Sequence, residues 1–153
     1  MNGRSLLFGL LILWVIGAGA IGCSDSDSGE AGNPSAIIHT TAGDITLELY
    51  RNKMPRTVEN FVRLAEDGFY NGLIFHRVKQ GFMIQGGAFT PEGNLKKSPY
   101  GPIKLETHPE VQHVDGAISM ARTSDPNSAT SQFFICDGPQ HFLDGSYAAF
   151  GVV

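Results

Sequence analysis

The sequence predicts a mainly β fold, an antiparallel β-barrel with one capping helix, and three observations carry that prediction. Short apolar runs bounded by Gly, Pro, Asn and Asp recur from about residue 36 to the last residue, as strands joined by turns do. Ile45-Thr46-Leu47-Glu48-Leu49-Tyr50 alternates apolar with polar residues, the period of a strand that buries one face. Only the stretch after Pro55 has the spacing of an amphipathic helix. Many strands, few helices and no internal repeat favour a sheet that closes on itself.

The elements follow in order. Residues 36–41 are expected to pair with 45–50 through the turn Ala42-Gly43-Asp44. Pro55 suits the first turn of a helix because its missing N–H is one that a helix start leaves unpaired anyway. Val58, Phe61, Val62 and Ala65 then recur at helical spacing until Gly68 can end the helix, which reads as a plug for the core. Strand character returns at 73–78 and 82–85, separated by a turn containing Lys79, Gln80 and Gly81, so these segments form a hairpin. Gly, Pro and Asn make 88–102 a surface loop, and 117–121, 132–136 and 148–153 supply further short strands.

A chain of 153 residues with 42% hydrophobic content holds material for one core. The net charge of −4 and the lack of a Lys/Arg cluster argue against a nucleic-acid partner, which needs cations to neutralise phosphates. Near the start, Arg4 precedes a nearly unbroken apolar run from Leu6 to Gly22, so residues 1–22 are expected to be a signal peptide or membrane anchor. Residues 23–35 hold no large apolar side chain and read as a flexible tether, leaving 36–153 as the folded domain.

Residues 75–87, Phe75-His76-Arg77-Val78-Lys79-Gln80-Gly81-Phe82-Met83-Ile84-Gln85-Gly86-Gly87, place the fixed cation of Arg77 among bulky apolar groups and the side-chain amide of Gln85. That mixture suits a neutral peptide. Met83 and Gln85 are two apart and share a strand face, as do Gln132 and Phe134, so two amides and two apolar groups can form one wall beside Arg77. Ser119-Met120-Ala121-Arg122 and Ser131-Gln132-Phe133-Phe134-Ile135-Cys136 repeat the combination of aromatic surface and sparse polar groups.

Together these stretches resemble the cyclophilins, which are peptidyl-prolyl cis–trans isomerases. Met120-Ala121-Arg122-Thr123 and Ser128-Ala129-Thr130 match the bacterial branch, and the resemblance runs from about Ile37 to Val153. It implies a cyclophilin-like barrel acting on proline-containing polypeptides without a cofactor, with Arg77 as the catalytic residue. It further implies that Phe82, Met83, Phe134, Phe142 and Leu143 line an apolar pocket for the proline ring. Gln85 would bind the carbonyl before the proline, and Gln132 would support Arg77 or the substrate. Ala121 and the backbone at Arg122 would hold the chain beside the twisting bond, and Tyr147 would present a hydrogen-bonding edge. A monomer is expected. Family members continue beyond Phe150-Gly151-Val152-Val153 into another helix and strand, so the closing elements of the barrel are expected to be missing from this chain.

Ala20-Ile21-Gly22-Cys23 resembles a bacterial lipobox, with Ala20 in place of the usual Leu. The resemblance implies lipidation at Cys23, attachment to a membrane of the bacterial cell envelope, and a domain facing the periplasm or the exterior. An uncleaved signal anchor with an incidental cysteine is the alternative. Lipidation would leave Cys136 unpaired, and it reads as a small core residue.

Other chemistries fit less well. His108 and His113 lack a supporting Cys or carboxylate pattern, so no metal site is expected. Neither Ser119 nor Ser131 lies in a Gly-x-Ser-x-Gly elbow. Gly86-Gly87 reads as a close-packed strand end, and His76 as a structural histidine. The apolar pocket residues could equally be core, since such side chains are usually buried. Phe142 stands where cyclosporin-sensitive relatives carry Trp, Ala88 where many carry an acid, and Arg122 where many eukaryotic relatives carry Asn. A noncatalytic proline-peptide-binding or chaperone module remains the alternative function.

Overall fold

The computed structural model describes residues 32–153, which fall within one compact unit, Ala31–Val153. The expected signal segment at 1–22, the Cys23 lipidation site and the tether up to residue 31 lie outside the described residues.

Among the described residues seven strands form one antiparallel sheet: β1 (Ser35–Thr40), β2 (Gly43–Leu49), β3 (Arg77–Lys79), β4 (Met83–Gly86), β5 (Ala117–Met120), β6 (Phe133–Cys136) and β7 (Ala149–Val152). Their order is β1-β2-β7-β5-β6-β4-β3, so β1 and β3 are edges and the described sheet is open rather than closed into a barrel. The first hairpin pairs Ala36 with Leu47 and Ile38 with Ile45, turning where Gly43 takes φ +129°.

The second hairpin is shorter than its apolar pattern predicts. Its first strand begins at Arg77, not Leu73. Past the Arg77–Gln85 pair the ladder ends, because Gly87 turns the chain with φ +88° and Ile74 instead bridges Phe89. Glycine is required at this turn: a Cβ at Gly87 would lie 2.6 Å from the Ser131 carbonyl oxygen.

Both faces of the central strands are buried, and they bury different things. On one face Ile118, Met120, Phe133 and Ile135 join Leu47, Leu49 and Phe150 in the main core. Among the described residues the one α-helix, α1 (Pro55–Glu66), adds Val58 and Phe61, whose ring lies 5.3 Å from Phe150 and 5.6 Å from Phe133. The helix buries Leu64 rather than the expected Ala65, and it also buries Thr57 and Asn60 because their polar groups are engaged. Asn60 donates to the Thr130 carbonyl at 2.7 Å, and Thr57 donates from both N and Oγ1 to Glu106 Oε2 at 2.9 and 2.8 Å. Met54 supplies no side-chain cap, so a carboxylate from a distant loop meets the free N–H groups of the helix start.

The other face carries a second, smaller cluster of Met83, Ala117, Phe134, Cys136 and Leu143, with Phe82, Ala121 and Tyr147 against it. Cys136 is 4% exposed and its thiol is pushed up to about 11, chiefly by burial.

Candidate active site

Strand register builds the site. Arg77 on β3 lies opposite Gln85 on β4, Gln85 opposite Phe134 on β6, and Phe134 opposite Ser119 on β5, so these four residues form one row across the sheet. Two residues along the strands, Lys79, Met83 and Cys136 form the next row. In the other direction Ala121 donates its N–H to the Gln132 carbonyl at 2.9 Å. Side chains two apart share a face, so the polar and apolar groups stand side by side.

The result is a groove of about 220 Å³ lined by Arg77, Phe82, Met83, Gln85, Ala121, Arg122, Phe134, Leu143 and Tyr147. Met83, Phe134 and Leu143 are nearly buried yet line it. Core and pocket are therefore not exclusive descriptions of these residues: they are the packed floor of an open site.

Two sequence-predicted residues sit elsewhere. Phe142 does not line the groove; it is 72% exposed on the 3₁₀ turn His141–Leu143 and stacks on Phe82, with ring centroids 5.8 Å apart. The turn places consecutive side chains on different sides, so burying Leu143 puts Phe142 outside. Gln132 also lies outside the lining, where its Oε1 accepts from Gln85 Nε2 at 3.0 Å. Gln85 Oε1 in turn accepts from Arg77 Nη1 at 3.3 Å. Gln132 thus reaches Arg77 only through Gln85, whose amide is oriented from both ends.

Arg122 contributes more than backbone. Its Nε and Nη2 donate to the Ser146 carbonyl at 3.1 and 2.9 Å, its Nη1 donates to the Thr123 carbonyl at 2.9 Å, and its guanidinium lies 4.2 Å from the centre of the Tyr147 ring. Tyr147 meets Phe134 edge to face at 6.0 Å. Arg122 therefore holds one wall in place, and the groove is bordered by two guanidinium groups, those of Arg77 and Arg122.

His76 packs its ring 4.6 Å from Phe89, and burial, followed by the charge of Arg77, lowers its pKa and keeps it neutral. Lys79 lies 5.5 Å from the centre of the Phe82 ring. Among the described residues no group of His, Cys, Asp and Glu is arranged to hold a metal ion.

One polar array was not visible in the sequence. His113 Nδ1 meets Asp144 Oδ1 at 2.8 Å, and His113 Nε2 meets Ser119 Oγ at 3.0 Å, an arrangement of the kind that activates a serine nucleophile. Ser119 is fully buried, so no substrate reaches its hydroxyl and the array performs no acyl transfer. Its members lie 6 and 31 positions from His113, distances that no local motif spans.

Residues 35–153 match the family described as cyclophilin type peptidyl-prolyl cis-trans isomerase/CLD. A peptidyl-prolyl cis-trans isomerase of Acinetobacter baylyi is 46% identical over 127 residues, covering 79% of this chain and 66% of that protein. Peptidyl-prolyl cis-trans isomerase B of Escherichia coli is 47% identical over 108 residues, covering 71% and 65% respectively. The chain thus spans about two thirds of the length of these curated relatives. A crystal structure of a Cryptosporidium parvum cyclophilin type isomerase, in the presence of the dipeptide Ala-Pro, superimposes with TM-score 0.68 at 32% identity, covering 78% of this chain and 77% of that one.

Proposed function

From the chain's membership of the cyclophilin type peptidyl-prolyl cis-trans isomerase family, we propose that it catalyses rotation about X-Pro peptide bonds. The observation that carries the reading is the groove itself: the Arg77 guanidinium, oriented by Gln85, borders an apolar floor of Phe82, Met83, Phe134 and Leu143.

Rotation about a peptide bond is slow because amide conjugation is lost at the twisted geometry, a barrier of about 18–20 kcal/mol. No bond is made or broken, so the catalyst needs neither nucleophile nor proton shuttle. In the planar ground state the prolyl nitrogen lone pair is delocalised and accepts nothing. On twisting it localises, and a guanidinium N–H directed at it forms a charge-assisted hydrogen bond that exists only near the transition state. Arg77 suits that task because a guanidinium is cationic and presents its donors in a rigid, planar fork. One donor is held by Gln85, which leaves the rest for the substrate. The apolar floor fixes the proline ring while the preceding carbonyl swings, and the Gln85 amide borders the groove where that carbonyl binds.

The Cryptosporidium structure, obtained in the presence of the dipeptide Ala-Pro, supports a proline-containing peptide as the ligand. NMR exchange spectroscopy on an X-Pro peptide tests the activity. Acceleration that Arg77→Ala abolishes is expected, and binding without acceleration would favour the noncatalytic peptide-binding module.

The apolar stretch before Cys23 supports a second part of the proposal, that the protein acts as a monomer tethered by lipid in the bacterial envelope and assists folding of exported proteins. Incorporation of labelled fatty acid by the wild type and its loss in Cys23→Ser is the expected result. Labelling that survives the substitution would reject the site.

A further inference from the structure

Behind the groove, three chain segments that supply its lining are joined through a single histidine. We propose that His113 and Asp144 are positioning residues, whose buried pair holds the Phe134 floor and the Leu143 wall in the arrangement that receives a proline ring. The kinetic consequence rests on the isomerase reading; the positioning itself does not.

His113 is 1% exposed and makes every hydrogen bond its ring permits. Asp144 Oδ1 accepts from both the backbone N of His113, at 2.7 Å, and Nδ1, at 2.8 Å. A carboxylate only accepts, so the ring proton sits on Nδ1 and Nε2 accepts from the Ser119 hydroxyl at 3.0 Å. This tautomer is neutral, in accord with burial that holds the pKa of His113 below its usual value against the opposing pull of Asp144. The imidazole lies nearly parallel to the Phe134 ring, 13° apart with centroids at 6.1 Å, and Ser119 is the cross-strand partner of Phe134. Phe134 is thereby braced by the histidine ring and by the residue that the histidine binds.

The same histidine fixes the opposite wall. Asp144 directly follows Leu143 and ends the 3₁₀ turn, so anchoring its carboxylate anchors Leu143. His141 bonds the second oxygen, Oδ2, at 3.0 Å. At the start of the turn, Gln140 donates its backbone N–H to the His113 carbonyl at 2.7 Å and its Nε2 to the Gly81 carbonyl at 3.1 Å, one residue before Phe82. A buried network of this kind is rigid when complete and costly when half satisfied, so losing one member loosens all three segments together.

Three variants test the proposal. Asp144→Ala removes the acceptor, Asp144→Asn keeps an oxygen for His113, and His113→Phe keeps the ring stack on Phe134 but removes every side-chain hydrogen bond. Thermal unfolding establishes that each is folded, NMR titration with Ala-Pro reads the groove, and exchange spectroscopy on an X-Pro peptide reads turnover. The expected result for Asp144→Ala is shifted Phe134 and Leu143 side-chain signals in the free protein, at least fivefold weaker Ala-Pro binding and about tenfold lower kcat. Asp144→Asn should recover most of each loss, and His113→Phe should resemble Asp144→Ala, supplying the same comparison if the alanine variant does not fold. Folded variants with wild-type Phe134 and Leu143 signals and wild-type Ala-Pro affinity would overturn the positioning role. If the wild type does not accelerate exchange while dipeptide affinity still depends on Asp144, the isomerase reading fails and the positioning role stands.

Discussion

Replacing Arg77 by lysine separates charge from geometry, the two properties the mechanism assigns to this side chain. Lysine keeps the positive charge but loses the planar fork, so it cannot hold Gln85 Oε1 with one donor, as Arg77 Nη1 does at 3.3 Å, while directing another at the prolyl nitrogen. A hydrogen bond to a charged group is worth about 1.5–3 kcal/mol. Arg77 is exposed on the edge strand β3, where water competes, so the lower half of that range applies. A loss of about 1.5–2 kcal/mol lowers kcat/KM about 10- to 30-fold. Arg77→Ala removes the charge as well and should cost about 100-fold, the lower bound for deleting a transition-state donor. Both losses should appear in kcat with little change in KM, because the bond forms only as the amide twists. NMR exchange spectroscopy on an X-Pro peptide measures the rate, and urea unfolding should show stability changed by less than about 0.5 kcal/mol, as for an ordinary surface substitution. An alanine variant within threefold of wild type would refute the mechanism, whatever its effect on affinity.

Four further outcomes follow from the packing. Glu106→Ala strips the start of α1 of its acceptor and leaves the buried Thr57 N–H and hydroxyl unpaired, so the urea-unfolding free energy should fall by about 2–3 kcal/mol. Gly87→Ala should cost more than about 2 kcal/mol in the same assay, from a left-handed backbone and a collision with the Ser131 carbonyl. Burial, opposed by Asp144, holds the pKa of His113 below its usual value. The unfolded chain therefore takes up its proton first, and stability should decline as pH falls below about 6.5 toward the folded value. Burial raises the pKa of Asp144, but bonds from His113 and His141 outweigh it and leave the group depressed. That contribution is present above about pH 3.9 and is lost as pH falls through the folded value, and His113→Phe should shrink both steps in a pH series of thermal melts. The Cys136 thiol, pushed up to about 11 and buried, should resist a thiol reagent at pH 8 until the protein unfolds; rapid labelling of the native state would contradict the burial.

The strands were legible where the governing chemistry is local. Alternation at Ile45–Tyr50 and the Ala42-Gly43-Asp44 turn lead directly to the first hairpin, and β5, β6 and β7 begin and end within one residue of their apolar runs. The second hairpin was misjudged because the apolar pattern does not show where the ladder ends, at Gly87, whose close approach to the Ser131 carbonyl joins segments far apart in the chain. The orientation of Phe142 was not legible, because a pattern shared with relatives names a position without saying which way a short turn points it.

By itself the sequence determined the antiparallel strands, the helix start at Pro55, and the common face of Met83 and Gln85, because a two-residue period puts alternate side chains on one side of a strand. Only the tertiary structure decided that Gln132 acts through Gln85, that Glu106 closes a helix from 49 residues away, and that His113 links the floor of the groove to its wall across 31 residues. Periodicity is a property of neighbours along the chain. These hydrogen bonds join groups that become neighbours only when the sheet packs, and burial then makes each unpaired partner costly.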